Sequence, residues 1–356
     1  MRRRAAECAA RDGVEVVDLA IGAPIDPTPD VVQRALAAAA DAPGYPLTVG
    51  RADLRAAFAG WIARNHGVHV DPAAVLPTIG SKELIGSLAL HLDVAAGEVV
   101  ALPPLAYPTY AVGAALVGAR VLLADDAATL AAADPAPRLI WVNSPSNPTG
   151  RVLGVDALRE LVRVCRERGT IVVSDECYLD LGWESTPVSA LHPDVCGLTH
   201  DGVLALHSLS KRSNLAGYRV GFVAGDPALV AELASVRRNL GLQLPAPQQA
   251  AAIAALDDDE HVAAQRARYA ARRDVLRPAV EAAGLRVEHS EAGLYLWATR
   301  GEPAADTQAR LAERGIVAVS GAEYGEAGGA HVRFALTATD DAVARAAARL
   351  RAEVPA

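Results

Sequence analysis

The sequence predicts an α/β fold in which a mostly parallel sheet is covered by helices. Between about residues 75 and 224, short apolar runs alternate with segments of helical periodicity, the pattern of strands joined by crossover helices. Polar residues cluster directly after several of these runs, and ligands of open α/β sheets bind at the carboxyl ends of the strands. After about residue 256 a long helical pattern is followed by strand-like pieces, so we expect a second, smaller α+β domain.

The individual elements follow from the same patterns. A helix is predicted over 153–169, because apolar residues recur at helical spacing and Gly169 provides a stop signal. The Ala/Arg-rich segment 261–283 predicts a long helix, and "GLRVEHSEAGLYLWA", "GIVAVS" and "HVRFALT" contain strand-like pieces. The candidate strands of the large sheet are 98–102, 120–124, 138–142, 170–174, 203–207 and 219–225.

Composition excludes several classes of protein. The 356 residues are 51% hydrophobic with a net charge of −8, and they contain no basic cluster beyond "MRRR" for nucleic acid or an anionic membrane. Charges and prolines interrupt the apolar runs, and acidic residues occur where a signal peptide needs an apolar core. The four cysteines show no metal-ligand or CxxC spacing. We therefore expect a cytoplasmic protein with a small-molecule partner and no structural metal.

Lysine is rare in this chain. Of 34 basic residues only Lys82 and Lys211 are lysines. Lys211 lies in "HSLSKRSNLAGYRVGF", after a predicted strand, so we expect its amine at a strand end. A Schiff base requires a primary amine, and the cations Arg212 and Arg219 could activate it. The alternative is an ordinary exposed lysine. Lys82 is the rival, but at a predicted helix start its charge would serve a phosphate.

A second candidate segment is "VVSDECY", in which Asp175 ends a predicted buried strand and Tyr178 follows three residues later. A carboxylate in that place is costly unless it meets a positive charge. A protonated pyridine nitrogen would be such a partner, and the ring would then act as an electron sink. The alternative is a helix N-cap, a common role for aspartate.

Two further segments suggest a ligand site. The loop "NSPSNPTG" follows the strand at 138–142 and by itself predicts only a rigid turn. In "PTIGSKELIGSLAL", Gly80 and Ser81 precede an apolar helix, whose free N–H groups favour a phosphate. The alternative is a capping box, which is imperfect because Leu84 stands where glutamate is expected.

Together, and in this order, "SPSNPTG", "DECY" and "SLSK…GYRVG" resemble fold-type I pyridoxal 5′-phosphate enzymes, specifically class I/II aminotransferases, over nearly the entire chain. The resemblance implies a seven-stranded, mostly parallel sheet in a large domain at 31–260. It implies a small domain formed by 1–30 and 261–356. It further implies pyridoxal 5′-phosphate as cofactor, an amino acid and a 2-oxo acid as substrates, and a homodimer with shared active sites.

The resemblance also implies roles around the cofactor ring. Lys211 is similar to the lysine that forms the Schiff base and then moves the proton between the substrate and the cofactor. Asp175 is similar to the partner of the pyridine nitrogen. Asn147 and Tyr178 resemble donors to the ring hydroxyl, and Tyr107 resembles the aromatic side chain that stacks on the ring.

Further roles are implied at the edges of the site. Arg333 resembles the arginine that binds the substrate α-carboxylate, and Gly22 resembles a glycine whose backbone approaches the substrate beside Asn147. Tyr45 resembles a tyrosine that reaches the phosphate in the partner subunit. The implied phosphate-binding set consists of Gly80, Ser81, Lys82, Ser208 and Arg219, with Ser210 as a neighbour.

One branch of the family is especially similar. The segments "SDECYLDLGWE", "HSLSKRSNLAGYRVGFVAGDP" and "VRFALTATD" resemble actinobacterial N-succinyldiaminopimelate aminotransferases of lysine biosynthesis. The implied reaction converts N-succinyl-LL-2,6-diaminopimelate and 2-oxoglutarate to N-succinyl-2-amino-6-oxopimelate and glutamate. The alternatives are an aminotransferase for another amino acid in a biosynthetic cluster and a β-elimination lyase of the same fold. "TVGRADL" and "NLGLQLPAPQQ" depart from the branch, and the resemblance does not extend to an N-terminal arm before "RDGVEVVDLA".

Overall fold

The structure is a computed structural model, which describes residues 1–11 and 13–352. Its helices, apart from short 3-10 turns, are α1 (Arg2–Arg11), α2 (Asp30–Ala38), α3 (Ala52–His66), α4 (Ser81–His91), α5 (Thr109–Leu116), α6 (Ala127–Ala132), α7 (Val155–Arg168), α8 (Pro193–Cys196), α9 (Leu209–Arg212), α10 (Pro227–Asn239), α11 (Ala246–Asp257), α12 (Glu260–Ala282), α13 (Ala304–Glu313) and α14 (Asp340–Arg351). Its strands are β1 (Val17–Asp18), β2 (Val75–Thr78), β3 (Val99–Leu102), β4 (Arg120–Leu123), β5 (Leu139–Asn143), β6 (Ile171–Asp175), β7 (Val203–Ser208), β8 (Gly221–Gly225), β9 (Arg286–Glu288), β10 (Tyr295–Thr299), β11 (Ile316–Val317), β12 (Val319–Ser320) and β13 (His331–Ala335).

Seven strands form the large sheet in the order β2-β8-β7-β6-β5-β3-β4. Strands β3 to β7 pair in parallel, and β8 pairs antiparallel with both β7 and β2. Strands β5, β6 and β7 are buried along their whole length, which explains why they appear in the sequence as continuous apolar runs. The predicted α/β fold with a mostly parallel seven-stranded sheet is confirmed.

The predicted elements are present, with ends displaced by at most two residues for the six strands of the large sheet. Helix α7 begins after Gly154 and ends at Gly169, whose φ of 67° is the left-handed conformation that glycine favours. Strand β2 was not predicted as a separate strand. It is short and contains Pro77, which lowers its strand propensity and fits its place at the edge of the sheet.

The N-terminal and C-terminal parts of the chain pack together around a second, four-stranded sheet and a separate two-stranded sheet. Strands β12, β13, β10 and β9 form an antiparallel sheet, and β1 pairs in parallel with β11, where Val17 faces Ile316. One apolar cluster joins Leu19 near the N-terminus to Leu296 and Phe334. The exact domain boundaries stay a prediction.

In the described part of the chain, no helix is long and apolar enough to cross a membrane. Residues 1–11 and 13–352 also contain no group of three or more His, Cys, Asp or Glu residues that could hold a metal ion. Cys8, Cys165, Cys177 and Cys196 are free thiols.

Candidate active site

A cavity of about 400 Å³ lies at the carboxyl ends of β5, β6 and β7. Asn143 and Asp175 are the last residues of neighbouring strands and pair directly with each other, and Ser208 ends β7. Parallel pairing therefore brings segments that are distant in the sequence to one edge of the sheet. The residues proposed for the site that line this cavity are Gly22, Ser81, Lys82, Tyr107, Asn147, Asp175, Tyr178, Ser208, Ser210, Lys211, Arg219 and Arg333.

Lys211 lines the cavity at the carboxyl ends of the strands, but it is carried by the single-turn helix α9, which follows β7 directly and was not expected. The turn forms because the hydroxyl of Ser208 accepts a hydrogen bond from the backbone N–H of Ser210, at 3.2 Å. The half-buried Lys211 amine donates to the backbone oxygen of Gly22. By contrast, Lys82 is exposed on the first turn of α4, with its amine 5.8 Å from the centroid of the Tyr107 ring.

The expected pair of cations beside the lysine amine is only partly correct. Arg219 lines the cavity, but Arg212 does not. The Arg212 Nε lies 2.7 Å from a carboxylate oxygen of Asp180, and the guanidinium stacks 4.9 Å from the Trp61 ring centroid. Neighbouring residues of a single helical turn point in different directions, and this turn directs Arg212 into the protein interior.

Asp175 is buried, with 5% of its surface exposed. Its Oδ2 accepts a hydrogen bond from the Tyr110 hydroxyl at 2.7 Å, and its Oδ1 accepts one from the Cys177 N–H at 3.2 Å. Burial raises the pKa of Asp175, and these hydrogen bonds lower it only in part. No helix starts at Asp175, so the N-cap alternative is wrong. Within residues 1–11 and 13–352 it has no ion-pair partner, which fits a ligand that brings a cationic ring nitrogen.

The turn before α4 has the geometry of an anion site. Gly80 has a φ of 71° and precedes the first free N–H groups of the helix, although it does not itself line the cavity. A Cβ at Gly80 would overlap the guanidinium of Arg219, so glycine allows this arginine to lie over the helix start. The Arg219 guanidinium, Lys82 and the hydroxyls of Ser81 and Ser208 therefore converge where a phosphate would fit.

Arg333 on β13 is the second arginine of the cavity and is 5% exposed. Its Nη1 donates to Asn147 Oδ1 at 2.7 Å and its Nη2 donates to the Ala20 oxygen at 2.9 Å. It stacks 3.9 Å from the ring centroid of Tyr295. In the described part of the chain it pairs with no carboxylate, and its Nε has no hydrogen-bond partner. A buried guanidinium in this state is suited to bind a carboxylate of a ligand.

Sequence reasoning missed several contributors, chiefly Tyr110, Asn143, Tyr295 and Tyr324. Tyr295 and Tyr110 belong to a strand and a helix with ordinary core patterns, so no local signal separates them from packing residues. Tyr45 was predicted for a partner's site. It is 97% exposed and does not line the cavity of its own chain, so its role stays a prediction.

The comparison with known families agrees with this geometry. Residues 14–350 match the family model "Aminotransferase class I and II". The chain belongs to this family. Its members depend on pyridoxal 5′-phosphate, use amino acids and 2-oxo acids as substrates, and are typically dimers. The buried carboxylate, the anion turn and the lysine amine described above fit this cofactor.

Individual relatives match this chain over nearly its whole length. The chain is 56% identical to the 4-dedimethylamino-4-oxo-anhydrotetracycline transaminase OxyQ of Streptomyces rimosus, over 98% of this chain and 96% of that protein. It is 57% identical to the Mycobacterium tuberculosis protein named "Probable aminotransferase Rv1178", over 94% and 80% of the two chains. The solved N-succinyldiaminopimelate aminotransferase of M. tuberculosis matches with a TM-score of 0.87 and 29% identity, covering 98% of this aminotransferase and 96% of that chain.

Proposed function

We propose that this aminotransferase moves an amino group between two α-amino acid and 2-oxo acid pairs, with glutamate and 2-oxoglutarate as one pair. The observation that carries the proposal is the buried Arg333 guanidinium, which has no carboxylate partner in the described chain and opens into the same cavity as Lys211. One carboxylate clamp can serve both halves of such a reaction, because both amino acids carry a carboxylate next to the reacting carbon.

The residues divide the chemistry between them. When bound, pyridoxal 5′-phosphate supplies the carbonyl carbon that accepts the amino group and the ring that holds the electrons released at the substrate Cα. Lys211 would take the proton from the substrate Cα and pass it to the former carbonyl carbon of the cofactor, because its amine opens into the cavity. Asp175 would keep a proton on the ring nitrogen of the cofactor, and Tyr178 and Asn147 would orient the ring through its hydroxyl. Arg333 fixes the substrate carboxylate.

For the second pair we propose N-succinyl-LL-2,6-diaminopimelate and its 6-oxo product. The segments that resemble N-succinyldiaminopimelate aminotransferases support this substrate. So do two solved structures, each with a TM-score of 0.87 and 29% identity: the M. tuberculosis enzyme of that name and a Thermus thermophilus protein named "probable N-succinyldiaminopimelate aminotransferase". A relative from Dehalococcoides mccartyi, 35% identical over 95% of this chain and 91% of that protein, is named LL-diaminopimelate aminotransferase. Substrates of the diaminopimelate type thus recur among relatives of different organisms.

A second candidate acceptor is an oxo-anhydrotetracycline of the kind named for the S. rimosus relative. It is favoured by the 56% identity over nearly the whole of both chains. The two stretches that depart from the expected branch, "TVGRADL" and "NLGLQLPAPQQ", also touch each other. Gln249 is buried and accepts from the Arg51 N–H at 2.9 Å while it donates to the Leu244 oxygen at 2.7 Å. They form one joined patch, although none of its residues lines the cavity.

A donor and acceptor panel tests the proposal. The purified enzyme with cofactor is given 2-oxoglutarate and, in turn, N-succinyl-LL-2,6-diaminopimelate, aspartate, alanine, tyrosine and ornithine, and glutamate formation is measured. In the other direction, glutamate is offered with 4-dedimethylamino-4-oxo-anhydrotetracycline. We expect the highest kcat/KM for N-succinyl-LL-2,6-diaminopimelate. A higher value with the tetracycline ketone selects the second candidate, and release of pyruvate and ammonia from cysteine without glutamate formation would overturn both.

A further inference from the structure

Tyr295 touches three of the groups that the proposed function uses. It is the first residue of β10 and is 4% exposed. Its hydroxyl lies 3.1 Å from the hydroxyl of Tyr178, and its ring lies 3.9 Å below the Arg333 guanidinium. A Cβ at Gly22 would overlap the Tyr295 hydroxyl, so the segment whose backbone oxygen receives the Lys211 amine packs directly on this side chain.

We propose that Tyr295 is a positioning residue, which orients the Tyr178 hydroxyl toward the cofactor ring and keeps the Arg333 guanidinium flat for the substrate carboxylate. This inference rests on the proposed roles of Tyr178 and Arg333.

The hydroxyl pair has a defined direction if Tyr178 serves the cofactor. A phenol has one O–H to donate and an oxygen that accepts. When Tyr178 donates to the ring oxygen of the cofactor, its own oxygen can only accept, so the proton between the two tyrosines must come from Tyr295. Hydrogen bonds in such a chain strengthen one another, because each donor becomes more polarised. Tyr295 therefore makes Tyr178 the stronger donor.

The ring of Tyr295 acts on Arg333 in a separate way. The guanidinium donates to Asn147 and to the Ala20 oxygen. These two bonds fix the position of its Nη atoms but not the angle of the guanidinium plane. The aromatic face of Tyr295 at 3.9 Å supplies the missing support and stabilises the positive charge where water is excluded. The hydroxyl and the ring thus have different tasks, and different substitutions separate them.

The test uses the enzyme with bound cofactor and no turnover. The first readout is the pH midpoint of the visible absorbance of the bound cofactor. A donor to the ring oxygen stabilises its more anionic form, so weakening that donor raises the midpoint, and for Tyr295→Phe we expect a rise of about half a pH unit. Tyr324→Phe is the matched control, because the Tyr324 ring also lies beside Arg333, at 5.0 Å, but the hydrogen bond of the Tyr178 hydroxyl is made with Tyr295. Its midpoint should equal that of the wild type.

The second readout is the dissociation constant of α-methyl-L-glutamate, which has the carboxylate but no Cα proton to lose. Tyr295→Phe keeps the ring, so its dissociation constant should stay within about twofold of the wild-type value. Tyr295→Leu removes the ring and should raise the dissociation constant about tenfold. An unchanged midpoint in Tyr295→Phe, or an unchanged constant in a folded Tyr295→Leu, overturns the inference. Since neither readout involves an acceptor, failure of the acceptor panel is distinguishable from failure here, and the midpoint alone decides if Tyr295→Leu does not fold.

Discussion

Lys211 and Lys82 line the same cavity, but they differ in their surroundings. Lys211 is half-buried and its amine donates to the backbone oxygen of Gly22, whereas Lys82 is exposed. We expect Lys211→Ala to lose the absorbance of covalently bound cofactor and to lower the rate at least about 100-fold, because the mobile base is gone. Lys82→Ala should keep the absorbance and weaken cofactor binding. A spectrum lost in Lys82→Ala but kept in Lys211→Ala would reverse the assignment.

Arg333 permits a prediction that separates substrate from cofactor. Replacing it with alanine removes the carboxylate partner from a buried site, so KM for every amino acid substrate should rise about 100-fold. The cofactor should remain bound with unchanged affinity, as measured by its absorbance during dilution. Arg163→Ala is the control, since Arg163 forms only exposed ion pairs with Glu160 and Glu167. A rise in KM for only one substrate would show that Arg333 binds a side-chain group instead.

A buried acid and base lie directly behind the site. Glu176 follows Asp175, and its Oε2 lies 3.5 Å from Nε2 of His207, with both side chains almost fully buried. Burial raises the pKa of Glu176 from 4.5 to about 7 and lowers the pKa of His207 from 6.5 to about 3. The nearby charges of His66, Asp180 and Arg212 modify these shifts to a smaller extent. At neutral pH His207 is therefore uncharged, whereas Glu176 is only about half ionised.

These shifts have opposite consequences for stability. Between pH 4.5 and 7 the unfolded chain loses the Glu176 proton before the folded chain does, so this residue destabilises the fold increasingly as pH rises. His207 acts in the other direction between pH 3 and 6.5. The melting temperature of Glu176→Gln minus that of the wild type should hence grow by a few degrees from pH 4.5 to 7. A difference that is constant across this range, or one equally present in the exposed control Glu160→Gln, would contradict the assignment.

For single residues, the sequence predicted the functional side chains better than the neighbours that position them. Lys211 and Asp175 could be proposed from the chemistry of their residue types at strand ends, and Arg333 from the family resemblance; all three line the same cavity. Tyr295 could not be proposed, because its place opposite Tyr178 depends on how β10 meets the large sheet. The direction of Arg212 also depends on one turn of helix that the serine at 208 initiates.

Among the elements, the turn that leads into α4 depends on a buried ion pair. Arg237 on α10 is completely buried and donates to both carboxylate oxygens of Glu83, at 2.6 and 3.0 Å. Glu83 in turn accepts from the Ile79 N–H at 3.3 Å. A carboxylate held in this way fixes the backbone of the turn, whose free N–H groups would bind the phosphate of the cofactor. Helix α10 thus supports the anion site without touching it.

Arg237→Met should therefore weaken cofactor binding about tenfold and also lower the melting temperature, because the turn loses its brace. The measurement is the dissociation constant of pyridoxal 5′-phosphate in the two proteins. Arg273→Met is the control, since Arg273 is also buried and paired, with Glu184, but lies on α12 outside the cavity lining. It should lose stability and keep cofactor affinity. Equal affinities in Arg237→Met and the wild type would mean that the turn holds its shape unaided.

Element prediction succeeded where the local pattern agreed with the tertiary position. Strands β5 to β7 are buried on both faces and flanked by turn residues, so a purely local pattern identifies them. Strand β2 has the composition of a poor strand and exists because β8 offers it a partner. That partner is far away in the sequence, and no local pattern encodes it.

On the scale of the whole molecule, the site is expected to be completed by a second subunit. Tyr45, Leu47, Ile21 and Ile25 are each more than half exposed. Large apolar side chains that are this exposed are candidates for burial in a protein interface. Class I and II aminotransferases are typically dimers, and we propose that this chain dimerises here, with Tyr45 reaching the phosphate in the partner.

Mixed dimers test this arrangement. Lys211→Ala has no active lysine, and Tyr45→Ala should bind the cofactor about tenfold more weakly if it has lost a hydrogen bond to the phosphate. When the two proteins are unfolded, mixed and refolded together, one site of each mixed dimer combines Lys211 with an intact Tyr45 from the neighbour. Tight cofactor binding should reappear in that fraction. If mixing restores nothing, Tyr45 acts within its own chain or not at all.

Substrate recognition in this chain joins its two ends. The Lys211 amine bonds to Gly22, and Arg333 bonds to Ala20, so residues near the start and the end of the chain meet at the same cavity. During synthesis the turn before α4 and Lys211 leave the ribosome long before β13. We therefore expect a nascent chain to acquire its cofactor contacts first, and its ability to select an amino acid only with its last strand and helix.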